Sequence, residues 1–165
     1  MLKLKNILFP VMLIALAGCS RKVHNSQNND TTKNQGDSLL VTLSIKDVFK
    51  AGEKPNLKFV VSNGKSMSRS FCKWQTPFEP LMSKYLDIRD EDGNEASYKG
   101  PMAKRIMPPP ADSYQTVNPM DTLVSTVDLS IAYELEADKK YTVSFNSASI
   151  SGLSPTNSVS FKLLK

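Results

Sequence analysis

The residues that could perform catalysis are few in this chain of 165 residues, and they lie apart from one another. His24 is the only histidine, and it falls in a polar stretch rich in Asn, Gln, Ser and Thr. A Ser-His-Asp or Cys-His arrangement needs a histidine within the fold, and a catalytic zinc needs fixed protein ligands such as those of His-Glu-x-x-His. Neither pattern is present. The sequence therefore predicts a non-enzyme, without a metal or another cofactor.

Acidic residues cluster at one place, which comprises Asp87, Asp90, Glu91 and Asp92. A pair of carboxylates can act as general acid and general base. The cluster stands beside Gly93, however, and an Asp-rich turn before glycine is more typical of a solvated hairpin tip. We therefore interpret these residues as a hairpin tip.

A dispersed set of motifs supports the main functional hypothesis. It consists of Trp74-Gln75-Thr76-Pro77-Phe78-Glu79, Tyr98-Lys99-Gly100-Pro101, Lys104-Arg105 and Asp128-Leu129-Ser130-Ile131-Ala132-Tyr133. In order and spacing this set resembles the N-terminal prodomain of aspzincin metalloproteases, the deuterolysin and peptidyl-Lys metalloendopeptidase family. The chain departs from the family pattern at Pro80 and Met120, where the family usually has glycine.

The resemblance implies that this chain is a partner of a protease supplied by another chain. In the family, the prodomain keeps the protease silent and assists its folding. The implied function is therefore binding and inhibition, or chaperoning, of a secreted deuterolysin-type zinc metalloprotease in trans. Such proteases often favour lysine in the substrate, so a lysine on a stiff loop is expected to act as a substrate mimic. The candidate protease-binding residues are Lys104, Arg105, Tyr98, Phe78 and Glu79.

The same motifs also have ordinary structural interpretations. An exposed basic pair such as Lys104-Arg105 is commonly a solvated surface charge, and the tryptophan of a β-sandwich is often a core residue. We assign structural roles to Trp74, Tyr133 and Cys72, the last of which has no intramolecular partner if Cys19 is lipidated. The alternative function is a non-inhibitory binding or structural module of the cell envelope, since a fold does not determine a function.

The N-terminus has the pattern of a lipoprotein signal peptide. Lys3 and Lys5 precede an apolar stretch over residues 7–17, which is shorter than the roughly 20 residues of a membrane-spanning helix. The sequence Leu16-Ala17-Gly18-Cys19 resembles a bacterial lipobox, in which the cysteine thiol receives a diacylglyceryl group. We therefore predict a signal peptide over residues 1–18 and attachment to a lipid bilayer through Cys19.

Residues 19–37 are predicted to form the lipidated cysteine and a flexible tether, because their polar composition cannot offset the entropy of ordering. Ser20 is not the Asp that usually retains a lipoprotein in the inner membrane, which favours the outer membrane of a bacterial cell envelope. The net charge is +5, and acidic and basic residues alternate without a basic stripe. This pattern does not favour a nucleic-acid partner.

The remaining residues, 38–165, predict one all-β domain. Apolar and polar residues alternate in several short segments, such as the one that contains Leu39, Val41, Leu43 and Ile45. About seven to nine such strands, with turn signals between them, favour an immunoglobulin-like antiparallel β-sandwich. Residues 100–112 contain four prolines, so we predict a long, stiff surface connection there, of the kind that often carries binding residues.

Overall fold

The computed structural model describes residues 38–165, which form ten strands and three short helical turns. The strands are β1 (Leu40–Ser44), β2 (Val48–Phe49), β3 (Asn56–Ser62), β4 (Arg69–Cys72), β5 (Leu86–Asp90), β6 (Tyr114–Val117), β7 (Thr122–Asp128), β8 (Lys140–Phe145), β9 (Ser154–Pro155) and β10 (Val159–Leu163). One α-helical turn, α1, spans Ala148–Ser151, and 3-10 turns span Ala111–Ser113 and Leu129–Ile131. None of the helices in this part of the chain is long and apolar enough to cross a membrane. The predicted signal peptide, lipidation site and tether lie outside the described residues.

The strands form two four-stranded sheets and a separate pair, which confirms the predicted all-β sandwich. One sheet has the order β7-β3-β1-β9, the other has the order β2-β10-β8-β5, and β4 pairs with β6. The first two strands belong to different sheets. Strand β1 pairs with β3 in one sheet, and β2 pairs in parallel with β10, the last strand, in the other sheet. Such a division is typical of immunoglobulin-like sandwiches. The long pairs are antiparallel, and two short pairs, β1-β9 and β2-β10, are parallel.

The core lies between the two large sheets and follows the alternation of the sequence. Val41 and Leu43 of β1 point inward, as do Leu57, Phe59 and Val61 of β3, and each is at most 2% exposed. Phe59 packs edge-on against Phe145 of β8, with ring centroids 5.1 Å apart. Because successive side chains of a strand point to opposite faces, this period of two places the apolar residues on the buried face.

The predicted hairpin tip after β5 contains one buried carboxylate. Asp90 accepts hydrogen bonds from the backbone N–H groups of Asp92 (3.1 Å) and Asn94 (2.8 Å), and its side chain is only 4% exposed. Lys139 Nζ lies 3.0 Å from its Oδ2. Burial by itself raises the pKa of Asp90, but the hydrogen bonds from Lys139 and Asn94 outweigh it and lower the pKa. Asp92 is exposed and Asp90 is buried. The prediction of a solvated hairpin tip is therefore right for Asp92 and wrong for Asp90.

Acidification is expected to destabilise the domain through Asp90. Its pKa is lower in the folded state than in the unfolded chain, so its stabilisation is complete above the unfolded-state pKa and is lost as the pH falls through the folded-state pKa. The variant Asp90→Asn should start from a lower stability at neutral pH and lose less of it in acid. Thermal unfolding midpoints measured from neutral to acidic pH test this, with Asp92→Asn as the exposed control. An equal acid dependence in wild type and Asp90→Asn would contradict the assignment.

Candidate functional site

The Trp74–Glu79 motif forms a compact turn that its own side chains hold together. Thr76 is fully buried, and its Oγ1 donates to the carbonyl of Lys73 (2.6 Å) and accepts from the N–H of Phe78 (3.2 Å). Glu79 Oε1 accepts from the N–H of Gln75 (2.9 Å), whose φ of 57° is in the left-handed region. The threonine and the glutamate therefore fix the shape of the turn from within.

Phe78 and the neighbouring chain attach this turn to the sandwich. The ring of Phe78 packs edge-on against Phe71 (5.3 Å between centroids) and Phe59 (6.2 Å), and it is half-buried. Ser125 of β7 donates from its Oγ to the carbonyl of Pro77 (2.8 Å). Phe78 was predicted to contact a protease; in the structure its ring packs against core phenylalanines.

Arg105 joins the turn to the proline-rich connection. Its Nη2 lies 2.6 Å from Glu79 Oε2, and its guanidinium lies 4.8 Å from the centre of the Trp74 ring. The side chains of Glu79 and Arg105 are 10% and 26% exposed, and Trp74 is buried. A planar guanidinium can stack on an aromatic face and bond a carboxylate at the same time. The pair of charges is therefore largely shielded from water, which strengthens it.

Tyr98 and Gly100 fix the start of the same connection. The Tyr98 hydroxyl donates to the carbonyl of Pro101 (2.9 Å), and its ring packs edge-on against Tyr133 (5.3 Å). A Cβ at Gly100 would lie 2.5 Å from the Tyr98 hydroxyl oxygen, so only glycine fits there without movement. Burial raises the pKa of Tyr98, and a tyrosine hydroxyl is protonated at neutral pH even without such a shift, so it can donate this hydrogen bond.

The second tyrosine links this region to the sandwich. Tyr133 lies between β7 and β8, is 6% exposed, and donates from its hydroxyl to the carbonyl of Leu86 in β5 (2.9 Å). Burial raises the pKa of Tyr133 as well. Because β7 and β5 belong to different sheets, this hydrogen bond ties the connection after one sheet to the edge strand of the other.

Residues 101–107, which we call the lysine loop, present alternate side chains to solvent. Met102, Lys104 and Ile106 are exposed, whereas Ala103 and Arg105 are half-buried. The exposed fractions of Met102 and Ile106 are 71% and 85%. No turn or helix interrupts residues 101–106, and this alternation is typical of an extended chain.

The backbone of the lysine loop is held at Pro101, by the Tyr98 hydroxyl, and at Ala103. Ala103 donates from its N–H to the carbonyl of Met82 (2.7 Å). The backbone groups of Lys104, Arg105 and Ile106 make no hydrogen bond to any other described residue. A row of unpaired N–H and C=O groups is a template for pairing with a strand of another chain.

The remaining candidate, Cys72, is a buried residue of the fold. Cys72 is buried in β4 opposite Tyr114 of β6 and forms no disulfide. Within residues 38–165, no group of three His, Cys, Asp or Glu side chains is arranged to hold a metal ion. Of the five predicted protease-binding residues, Lys104 is exposed and the other four are half-buried. Tyr98 and the Glu79–Arg105 pair hold the loop of Lys104, whereas Phe78 packs on the sandwich. The sequence analysis did not predict that Met82 and Ala103 belong to this region. Their contact is a backbone hydrogen bond, which does not depend on the type of either side chain.

Removal of the Arg105 side chain is expected to destabilise the domain, because it would leave the carboxylate of Glu79 shielded and without its cation. We expect Arg105→Ala to lower the free energy of unfolding by about 2 kcal/mol. Lys104→Ala, one residue away and exposed, should change it by less than about 0.5 kcal/mol. Urea unfolding of both variants measures the difference. Equal effects would show that the contact with Glu79 and Trp74 contributes no stability.

Comparison of the chain with protein-family models and with curated proteins found no match. The inhibitor hypothesis therefore depends on the quoted motifs and on the geometry of the lysine loop. Both can be tested on the protein itself.

Proposed function

We propose that this chain is a membrane-anchored, prodomain-like protein that binds a secreted aspzincin zinc metalloprotease in trans and inhibits it, or assists its folding. One observation supports this proposal above the others. Lys104 is exposed at the centre of a loop whose neighbouring residue, Arg105, is held by Glu79 and Trp74. The loop therefore offers a basic side chain in a defined position.

The lysine loop has the features of a substrate mimic. An extended peptide can add to the edge of a sheet in a partner, where backbone hydrogen bonds give affinity and pockets for alternate side chains give specificity. The backbone groups from Lys104 to Ile106 are available for such pairing within the described chain. A basic residue between Met102 and Ile106 suits a cleft that has one acidic pocket flanked by apolar ones.

Pre-organisation of the loop favours inhibition. Tyr98 holds Pro101, Met82 holds Ala103, and Glu79 with Trp74 holds Arg105. A loop that is already ordered loses less conformational entropy when it binds. If the protease cleaved the loop, these contacts would also keep the two new chain ends bound to the domain. The cleaved inhibitor would therefore dissociate slowly from the protease.

In this proposal the partner supplies the catalysis and the N-terminal segment supplies the location. The motif resemblance assigns the zinc and its ligands to the protease, and no cofactor is assigned to this chain. The predicted lipid on Cys19 would place the domain at the surface of the bacterial cell envelope. There it would meet proteases secreted by its own cell or by a competitor.

The substitution Lys104→Ala is expected to weaken inhibition strongly. If the lysine fills a specificity pocket, its loss should raise the inhibition constant roughly 30-fold, which is the effect of a binding hot spot. The measurement is hydrolysis of a lysine-containing peptide by a deuterolysin-type protease at increasing concentrations of the purified protein. Full-length wild-type protein is the reference.

Lys50→Ala is the matched control, because Lys50 is also exposed and its side chain makes no hydrogen bond or ion pair in the described structure. It should change the inhibition constant by less than about twofold. If micromolar wild-type protein leaves the protease fully active and does not improve its refolding, the proposal is wrong. Stoichiometric recovery of a non-protease envelope protein would then favour the binding-module alternative.

Arg105→Lys tests whether the held arginine positions the lysine loop. This variant keeps the positive charge and loses the planar stacking on Trp74. We expect inhibition to weaken about tenfold even though Lys104 is intact, because the loop must then be ordered on binding. Limited proteolysis of the free protein should also cut the loop faster. Inhibition unchanged from wild type, together with unchanged proteolysis, would exclude the positioning role.

A further inference from the structure

Two strongly exposed methionines lie on neighbouring loops at one end of the sandwich. Met67 is on the connection from β3 to β4 and is 66% exposed, and Met120 is on the connection from β6 to β7 and is 75% exposed. We call residues 63–67 and 118–121 the methionine tip. Neither methionine belongs to the site around the lysine loop.

A buried asparagine holds the two loops of the tip together. Asn63 is 2% exposed, and its Nδ2 donates to the carbonyls of Met67 (2.8 Å) and Asn118 (3.0 Å). The N–H of Met120 donates to the carbonyl of Lys65 (3.1 Å). The methionines are therefore carried by a hydrogen-bonded backbone, which opposes their collapse onto the domain.

Met120 adopts a backbone conformation that favours glycine. Its φ is 54°, in the left-handed region that side chains other than those of Gly, Asn and Asp rarely enter. Since the side chain is three-quarters exposed, packing within the domain does not offset this cost. The exposed methionine side chain is therefore available for a contact outside the described chain.

The described chain begins at the same end of the sandwich as the tip. Leu40 in β1 pairs with Ser62, the last residue of β3, and Ser62 pairs with Thr122, the first residue of β7. The residue before β1 and the loops after β3 and before β7 are thus at one end. Residues 1–37, which include the predicted lipid attachment at Cys19, precede this point. The predicted tether therefore joins the domain at the end that carries the tip.

We propose that the methionine tip rests on the phospholipid bilayer, with Met67 and Met120 at the boundary between headgroups and acyl chains. Methionine is flexible and apolar, and it adapts to irregular surroundings. Lys65 is exposed on the tip and would lie near anionic headgroups, and the exposed Asp121 limits the net attraction. This inference rests on the lipid anchor proposed above and is independent of protease inhibition.

The tether makes such a small contact sufficient. Two methionines alone would not recruit a soluble protein to a membrane, since single weak anchors bind reversibly. A domain already tied to the bilayer has a high effective concentration at its surface, so a weak second contact is populated. The contact sets the orientation of the domain, and the opposite end, where Asp128 pairs with Asn56, faces away from the lipid.

Quenching of tryptophan fluorescence by brominated lipids tests this orientation. The full-length lipidated chain is reconstituted into vesicles of phosphatidylcholine and phosphatidylglycerol, with and without bromine on the acyl chains. Met120→Trp and Met67→Trp place the probe on the tip. Ile131→Trp is the matched control, because Ile131 is 69% exposed and follows β7 at the opposite end. Trp74 is buried and serves as a common background.

We expect bromine to remove most of the added emission of the two tip variants and to leave that of Ile131→Trp unchanged. If Met120→Trp does not fold, Met67→Trp decides the question alone. Equal quenching at both ends, no quenching at the tip, or failure of the chain to sediment with vesicles would each overturn the proposal. Protease inhibition by the same variants, measured in detergent, should match wild type, so the two proposals can fail separately.

Discussion

The guanidinium of Arg105 holds together two segments that no strand pairing joins. It lies against the Trp74 ring and bonds the Glu79 carboxylate, whose other oxygen accepts from the backbone of the same turn. Because a guanidinium is planar and always charged, it can satisfy the ring and the carboxylate together. The position of Lys104, one residue away, follows from this contact. The proposed substrate mimicry therefore depends on a side chain that itself points toward the protein.

The lysine loop and the methionine tip both expose apolar side chains, and each is held in place by a shielded polar group. The lysine loop is held by the pairing of its own Arg105 with Glu79, and the methionine tip is held by the buried side chain of its own Asn63. A shielded polar group is costly unless its partners are in place, so it permits few alternative arrangements of the chain around it. An apolar loop without such support would fold back onto the surface to bury its side chains. The shielded polar groups thus keep the apolar side chains of both loops exposed, where they can contact other molecules.

Local chemistry predicted much of this fold. The alternation around Val41 and Leu43 predicted a half-buried strand, and β1 is that strand. The prolines after Gly100 predicted a surface connection, which the structure contains. The two-residue strands β2 and β9 gave no signal, because a period of two cannot be recognised in so few residues. They account for the difference between the seven to nine strands expected and the ten observed.

By itself, the sequence determined the strand content, the buried face of each long strand and the stiff loop that carries Lys104. These are properties of neighbouring residues, since side-chain alternation and proline geometry act over a few positions. Only the tertiary structure decided which polar groups are shielded and what they contact. Glu79 meets Arg105 across 26 residues and Asp90 meets Lys139 across 49. Such pairs depend on how distant segments pack against each other, and a local sequence pattern does not contain that information.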